Sequence, residues 1–102
     1  MNRVDFEAVY RRGQRRSSPQ FAIFYRANGF PRSRFGISVK KALGGAVTRN
    51  RIRRRIREIL RLNASEIPSG WDFVIHPRTA VVRAEFSPLA TELTRLLQSV
   101  LS

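Results

Sequence analysis

Residues 49–61 read RNRIRRRIREILR, a stretch that sets seven arginines against a single acid. Apolar residues recur within it at helical spacing, so at about 100° per residue they share one side while most of the arginines gather on the other. The stretch therefore predicts a helix with one packing face and one cationic face. The packing face comprises Ile52, Ile56, Ile59 and Leu60, and the cationic face comprises Asn50, Arg53, Arg54, Arg57 and Arg61.

The charge of this helix favours a bound anion over a plain solvated surface. Solvated helices usually alternate the two signs of charge. Here Glu58 alone opposes the arginines, so like charges three and four residues apart repel each other unless a partner supplies negative charge. Arg49 and Arg55 flank the apolar stripe, where an arginine packs its methylene stem on the core and keeps its guanidinium at the rim.

The whole chain is strongly basic. Its 102 residues carry a formal net charge of +13, and 42% of them are hydrophobic, which suffices for one core and predicts a single domain over residues 1–102. Such a charge predicts a polyanionic partner, with nucleic acid ahead of a membrane surface. The membrane alternative is weaker because the arginine helix lacks the broad aromatic or leucine face that interfacial helices bury.

The chain lacks the residues that several kinds of chemistry require. The chain has no cysteine, which excludes disulfides and thiolate metal sites. Its seven acids are scattered and His76 is its one histidine, so we expect no catalytic residue and no metal site in the protein, and we interpret His76 as structural. No apolar run reaches the ~20 residues that span a bilayer, and no signal peptide is apparent. We therefore expect a cytoplasmic protein.

The N-terminal segment predicts a short helix over residues 2–13, with Asp5 as its N-cap and Gly13 as its stop. Phe6 and Tyr10 lie four residues apart and share one face of this helix. That face either packs in the core or lines a nucleic-acid groove, and the pattern leaves both readings open.

Two strands are predicted next, over residues 20–26 and 34–40, and residues 15–19 between the helix and the first strand are interpreted as a basic, flexible loop. The first strand is apolar on both faces. It is either sandwiched between two layers, which the pattern slightly favours, or it has one face in the core and the other exposed as a stacking platform.

The rest of the chain predicts a short third strand near Lys41, a strand over residues 71–76 and a closing helix. Ser87 is the expected N-cap of that helix, and Pro88 its first residue. The element order α-β-β-(β)-α-β-α predicts an α+β fold, a small two-layer α/β sandwich. The apolar stripe of the closing helix comprises Leu89, Leu93, Leu96, Leu97 and Val100.

Residues 34–39, RFGISV, followed by residues 44–54, GGAVTRNRIRR, closely resemble the bacterial ribonuclease P protein subunit. The resemblance extends over nearly the whole chain. It implies a sandwich with a left-handed βαβ crossover, similar to the second domain of ribosomal protein S5. It also implies a protein that helps a catalytic RNA to remove the 5′ leader from precursor tRNA.

The resemblance further implies partners and site residues. The partners are the catalytic RNA and precursor tRNA, with no membrane and no obligate protein partner, and Mg²⁺ is required through the RNA rather than bound by the protein. The residues expected to bind the catalytic RNA are Lys41, Arg49, Asn50, Arg51, Arg53, Arg54 and Arg57. Those expected to bind the leader are Phe6, Tyr10, Ala22, Phe24 and Arg34.

The chain departs from the family pattern at two positions, since Ala42 stands where a basic residue is usual and Gly45 stands where an asparagine is usual. Lys40 is a candidate to compensate for the lost charge. A ribosomal or general RNA-chaperone protein is the alternative function, because it would share the charge, size and fold class. An autonomous protein nuclease is disfavoured because no carboxylate cluster is present.

Overall fold

The computed structural model describes residues 3–101, which form three helices and a four-stranded sheet with short 3₁₀ turns between them. In chain order the helices and strands are α1 Arg3–Arg12, β1 Gln14–Ser17, β2 Phe21–Ala27, β3 Arg34–Ile37, α2 Ala46–Leu62, β4 Trp71–Pro77 and α3 Phe86–Gln98. The 3₁₀ turns cover Lys41–Leu43, Ala64–Glu66, Thr79–Arg83 and Ser99–Leu101.

The sheet has the strand order β1-β2-β4-β3 and is mixed. β2 pairs antiparallel with both β1 and β4, whereas β3 runs parallel to β4. Parallel neighbours require a crossover connection, and α2 lies in that connection. The predicted α+β sandwich is confirmed, and the β3-α2-β4 unit is the βαβ crossover that the resemblance implied.

The two faces of the sheet are covered differently. Alternate residues of β2 and β4, such as Ile23 and Phe73, point into the main core with the apolar stripes of α2 and α3. α1 lies on the opposite face, where Val9 is fully buried and Tyr10 contacts Phe24. The sheet therefore separates α1 from the arginine-rich helix.

The long helices follow their predicted packing patterns. Ile52, Ile56 and Ile59 of α2 are buried, and so are Leu89, Leu93, Leu96 and Leu97 of α3 and Val100 in the 3₁₀ turn that follows it. The predicted start of α3 is wrong by two residues, because the N-cap position is occupied by Glu85 rather than Ser87. Pro88 is then the third helical residue, where its missing N–H breaks no intrahelical hydrogen bond.

The predicted loop over residues 15–19 is wrong in its first part. Residues 14–17 form the edge strand β1, in register with β2 so that Arg15 lies opposite Phe24. The predicted third strand near Lys41 is also wrong, because this segment forms a 3₁₀ turn. β3 ends at Ile37 rather than at residue 40, and the Ser38 N–H donates a last hydrogen bond to the Ile75 carbonyl at 2.9 Å.

Gly13 ends α1, as predicted, and lets the helix approach the sheet closely. A Cβ at this position would lie 2.4 Å from the Val9 carbonyl oxygen and 2.6 Å from that of Tyr25. Both are backbone atoms, so neither can swing away. Asp5 lies within the first turn of α1 rather than at its N-cap.

Candidate nucleic-acid interface

α2 presents a continuous cationic surface, here called the arginine face. Two of its side chains are held in place by hydrogen bonds: Arg53 Nη1 donates to Asn50 Oδ1 at 3.1 Å, and Arg49 Nε donates to the Gly44 carbonyl at 3.1 Å. Exposed Lys41 precedes the helix in the 3₁₀ turn. The arginine face comprises the exposed Asn50, Arg51, Arg54 and Arg57 and the half-buried Arg49 and Arg53.

The helix supplies little negative charge to offset this surface. Its one acid, Glu58, forms an ion pair with Arg61 in the last turn. The hydrogen bond from the Arg61 side chain lowers the pKa of Glu58. Arg55 turns toward the core rim, as predicted, and its Nη1 and Nη2 donate to the carbonyls of Val81 and Ala84 at 3.4 and 2.5 Å. The arginines of the first turns thus remain available for an external anion.

A glycine pair leads into α2. Gly44 has φ of +141°, and a Cβ there would lie 2.9 Å from the Thr48 Cβ, so the sharp turn into the helix requires glycine. Gly45 is the N-cap residue and offers no side-chain hydrogen bond to the helix. Open space surrounds the position that a Cβ of Gly45 would occupy.

Four rings cluster on the opposite face of the sheet and form what we call the aromatic cleft. They belong to Phe6 and Tyr10 of α1, Phe24 of β2 and His76 of β4. The ring centroids of Phe6 and Tyr10 are 6.5 Å apart, those of Tyr10 and Phe24 5.0 Å, and those of Phe24 and His76 5.2 Å. Tyr10 is 41% exposed, and buried Ala22 adds a small side chain beside the rings. The leader-binding residues expected on α1 and β2 are therefore brought together.

His76 is a cleft residue that the sequence-based interpretation missed. It lies directly opposite Ala22 in the β2–β4 register, and its Nε2 is 2.8 Å from the Tyr10 hydroxyl oxygen. Burial lowers the pKa of His76, and the nearby charges of Lys40 and Arg15 lower it further. Alternation along β4 places His76 on the face opposite Ile75, but nothing in the sequence shows which residue of β2 lies beside it.

The cleft continues into a pocket of about 500 Å³, here called the cationic groove. Its wall includes Ala22, Phe24 and His76, and its rim carries the exposed cations Arg15, Lys40 and Arg78. The Arg15 guanidinium carbon lies 5.9 Å from the centroid of the Phe24 ring. Arg15 and Arg78 were not predicted as site residues; Arg15 was assigned to a loop, and only the register of β1 places it over the cleft.

The groove opens beside the 3₁₀ turn that precedes α2. Ala42 and Lys40 both line it, so Lys40 places a positive charge in the groove beside Ala42. The 3₁₀ turn also packs against α2. The segment 41–45 therefore connects the aromatic cleft to the arginine face.

Arg34 lies in an internal network rather than on the groove. Its Nε and Nη2 donate to Asp72 Oδ1 and Oδ2 at 2.8 and 2.6 Å, and Nη2 lies 3.4 Å from Asp5 Oδ1. Burial alone would raise the pKa of Asp72, but hydrogen bonds from Arg34 and Asn28 hold it below its usual value. Arg34 thus ties β3 and β4 to α1, and its role in leader binding stays a prediction.

Comparison with known proteins identifies the family of this chain. The chain matches the family model described as Ribonuclease P over residues 1–101. The ribonuclease P protein component of Thermotoga maritima is 35% identical over 102 residues, which cover 96% of this chain and 87% of that protein. The chain belongs to the ribonuclease P protein family. It therefore has a role in tRNA 5′ processing, as part of a ribonucleoprotein formed with the ribonuclease P RNA.

Solved structures of this family share the fold. The ribonuclease P protein from Thermotoga maritima superposes with a TM-score of 0.91 at 36% identity, covering 95% of this chain and 92% of that chain. The Staphylococcus aureus ribonuclease P protein gives a TM-score of 0.86 at 30% identity, covering 98% of this chain and 92% of that one. The mixed four-stranded sheet with three helices is thus the family architecture.

Two other kinds of site are absent from residues 3–101. No group of three or more histidine, cysteine, aspartate or glutamate side chains in this part of the chain is placed to hold a metal ion. Within the same residues, no helix has the length and apolar character needed to cross a bilayer.

Proposed function

We propose that this ribonuclease P protein docks the catalytic RNA on the arginine face and takes the 5′ leader of precursor tRNA into the aromatic cleft. The RNA carries out the cleavage, and the protein positions the substrate. The cluster of rings beside the cationic groove carries this proposal. Bases stack on such rings with little sequence preference, and the rim cations can neutralise the phosphates that connect them.

The arginine face suits a folded RNA for a different reason. Its guanidinium groups are planar, always charged and able to hold a phosphate through two hydrogen bonds. Each neutralised phosphate releases counterions and lowers the cost of bringing two polyanions together. The protein should therefore reduce the Mg²⁺ concentration at which the catalytic RNA engages its substrate, while the Mg²⁺ itself is held by RNA. We place this particle in the cytoplasm.

The geometry of Arg34 limits what this side chain can contribute to leader binding. Its guanidinium fork is already occupied by the buried carboxylate of Asp72. A leader phosphate near Arg34 would have to share that guanidinium with Asp72. We therefore expect Arg34 to support the leader site mainly by fixing the position of α1 against the sheet.

Two substitutions of Phe24 test the leader site. Loss of one stacked base costs about 1–3 kcal/mol, so Phe24→Ala should weaken binding of leader-bearing precursor tRNA to the reconstituted particle roughly 5-fold to 150-fold. Phe24→Leu keeps apolar volume but removes the ring, and it should show most of the same loss. The dissociation constants of precursor and leaderless tRNA are measured side by side for each variant.

The control is the leaderless tRNA, whose affinity should change less than twofold. Equal losses for the two RNAs would show that Phe24 serves only as a packing residue. Precursor cleavage at low Mg²⁺, with the catalytic RNA and the protein each omitted in turn, tests the division of labour. Cleavage by the protein alone would contradict the assignment of the chemistry to the RNA.

A further inference from the structure

His76 lies where the aromatic cleft meets the cationic groove. Its ring contacts Tyr10 and Phe24, with centroids 5.7 and 5.2 Å away, and its Nε2 is 2.8 Å from the Tyr10 hydroxyl oxygen. Burial raises the pKa of Tyr10, so its hydroxyl stays protonated and can donate to Nε2. A neutral imidazole accepts this hydrogen bond when its proton is on Nδ1, and the Tyr10 hydroxyl also forms a hydrogen bond with the Ser38 side chain.

The charged side chains around this ring are cationic. β1 contributes Arg15, the segment after β3 contributes Lys40, and the segment after β4 contributes Arg78. α1 contributes the neutral hydroxyl of Tyr10, and β2 contributes the uncharged Ala22 and Phe24. In the absence of RNA this field opposes a positive charge on His76. A phosphate held between the same cations would reverse the field at the ring.

We infer that His76 contacts the leader and takes up a proton as an RNA phosphate enters the cationic groove, so that the leader's contribution to binding grows as pH falls. This inference rests on the proposed leader site. Protonation keeps the Tyr10 contact, because Nε2–H can donate to the phenolic oxygen. The bound RNA then gains a positive charge on the cleft wall.

The sign of the pH dependence follows from linkage. Burial, Lys40 and Arg15 hold the pKa of free His76 below its usual value, and a bound phosphate raises it. Between the two values each binding event takes up as much as one proton, so affinity for the leader falls up to about tenfold per unit rise in pH. Below the free value the ring is charged in both states, and above the bound value it is neutral in both, so the dependence vanishes.

The first test uses the fact that His76 is the only histidine. Its Cε1 proton gives one imidazole signal, which can be titrated by NMR in the full chain, free and saturated with a single-stranded RNA pentamer. An opposite charge at about 4–6 Å shifts a pKa by about one unit or more, so we expect an upward shift of at least that size. A His76 titration that the pentamer leaves unmoved would overturn the inference.

The second test measures leader discrimination in the reconstituted particle, as the ratio of dissociation constants of leaderless and leader-bearing tRNA at pH 5.5 and pH 7.5. The ratio should increase severalfold at the lower pH for the unmodified protein. His76→Gln should remove that increase because the amide does not titrate. His76→Phe should remove it as well while retaining the stacking contribution.

The possible results distinguish a failure of the role of His76 from a failure of the proposed leader site. A leader preference that is the same at both pH values, or a pH response retained in His76→Gln, overturns the role of His76 and leaves the leader site intact. A protein with no leader preference at either pH overturns both.

Discussion

The arginine face and the aromatic cleft lie on opposite sides of the same sheet and are built in different ways. The arginine face belongs to one helix, and its charges are exposed and little offset by acids. The cleft is assembled from α1, β2 and β4, and its side chains are held by ring contacts and by the Tyr10–His76 hydrogen bond. One surface offers dense charge, and the other offers fixed shape with fewer cations.

This difference suits two kinds of RNA. A folded RNA presents a dense array of phosphates, so affinity can come from many adjustable arginine contacts. A single-stranded leader presents bases as well as phosphates, so a preorganised cluster of rings can bind it at low entropic cost. The two surfaces should therefore respond differently to substitution, which the following predictions use.

Among the substitutions compared below, those on the arginine face should have the largest effect. Arg54→Gln should weaken binding of the catalytic RNA about tenfold, because a charge-assisted hydrogen bond to phosphate is lost. It should also reduce the slope of log K against log salt by about 0.7–0.9. Adding Arg57→Gln should weaken binding about a further tenfold and lower the slope by about a further 0.7–0.9. Leader discrimination should stay constant, measured as the leaderless-to-precursor ratio.

Arg95→Gln provides the control, since Arg95 is also an exposed arginine but lies on α3. It should alter RNA affinity less than twofold. If Arg95→Gln and Arg54→Gln reduced affinity and salt slope equally, total charge rather than the arginine face would govern docking.

Gly13→Ala should have a smaller effect, and it should change leader binding rather than catalytic-RNA binding. The added Cβ would collide with the carbonyls of Val9 and Tyr25, so α1 must shift away from β2. We expect this strain to lower the free energy of unfolding by about 1–3 kcal/mol, measured by urea denaturation. Leader discrimination should fall, because Phe6 and Tyr10 move, whereas catalytic-RNA affinity should change less than twofold.

The comparison is made at a temperature at which circular dichroism shows the variant to be folded. Loss of catalytic-RNA affinity by the folded variant would mean that the two surfaces are coupled through the sheet. Unchanged leader discrimination would mean that the position of α1 does not define the cleft.

The smallest effect is expected at Gly45, where a matched pair separates helix stability from charge. Asparagine and aspartate can both cap α2, and open space surrounds this position, so each should stabilise the protein by a few tenths of a kcal/mol. Gly45→Asn should keep or slightly improve catalytic-RNA affinity. Gly45→Asp should reduce it, because the carboxylate lies next to the arginine face.

Both variants are measured by thermal unfolding and by RNA titration. Equal RNA affinity for the two would place the N-terminus of α2 away from the bound RNA.

The same contrast explains what the sequence could predict. α2 and the stripe of α3 depend on helical periodicity, which is local, and both agree with the structure. β1 was missed because its sequence QRRS has no apolar alternation and it becomes a strand only through pairing with β2. His76 was missed because its place in the cleft depends on the register between β2 and β4, whose residues lie far apart in the chain.

The most direct test of the account is a photo-crosslink from the leader. A precursor tRNA with 4-thiouridine in its 5′ leader is bound to the reconstituted particle and irradiated, and the attached peptide is identified by mass spectrometry. The account predicts attachment to peptides of the cleft and groove, which contain Tyr10, Phe24 or His76. Attachment to α2, at residues 49–57, would contradict the separation of the leader site from the arginine face.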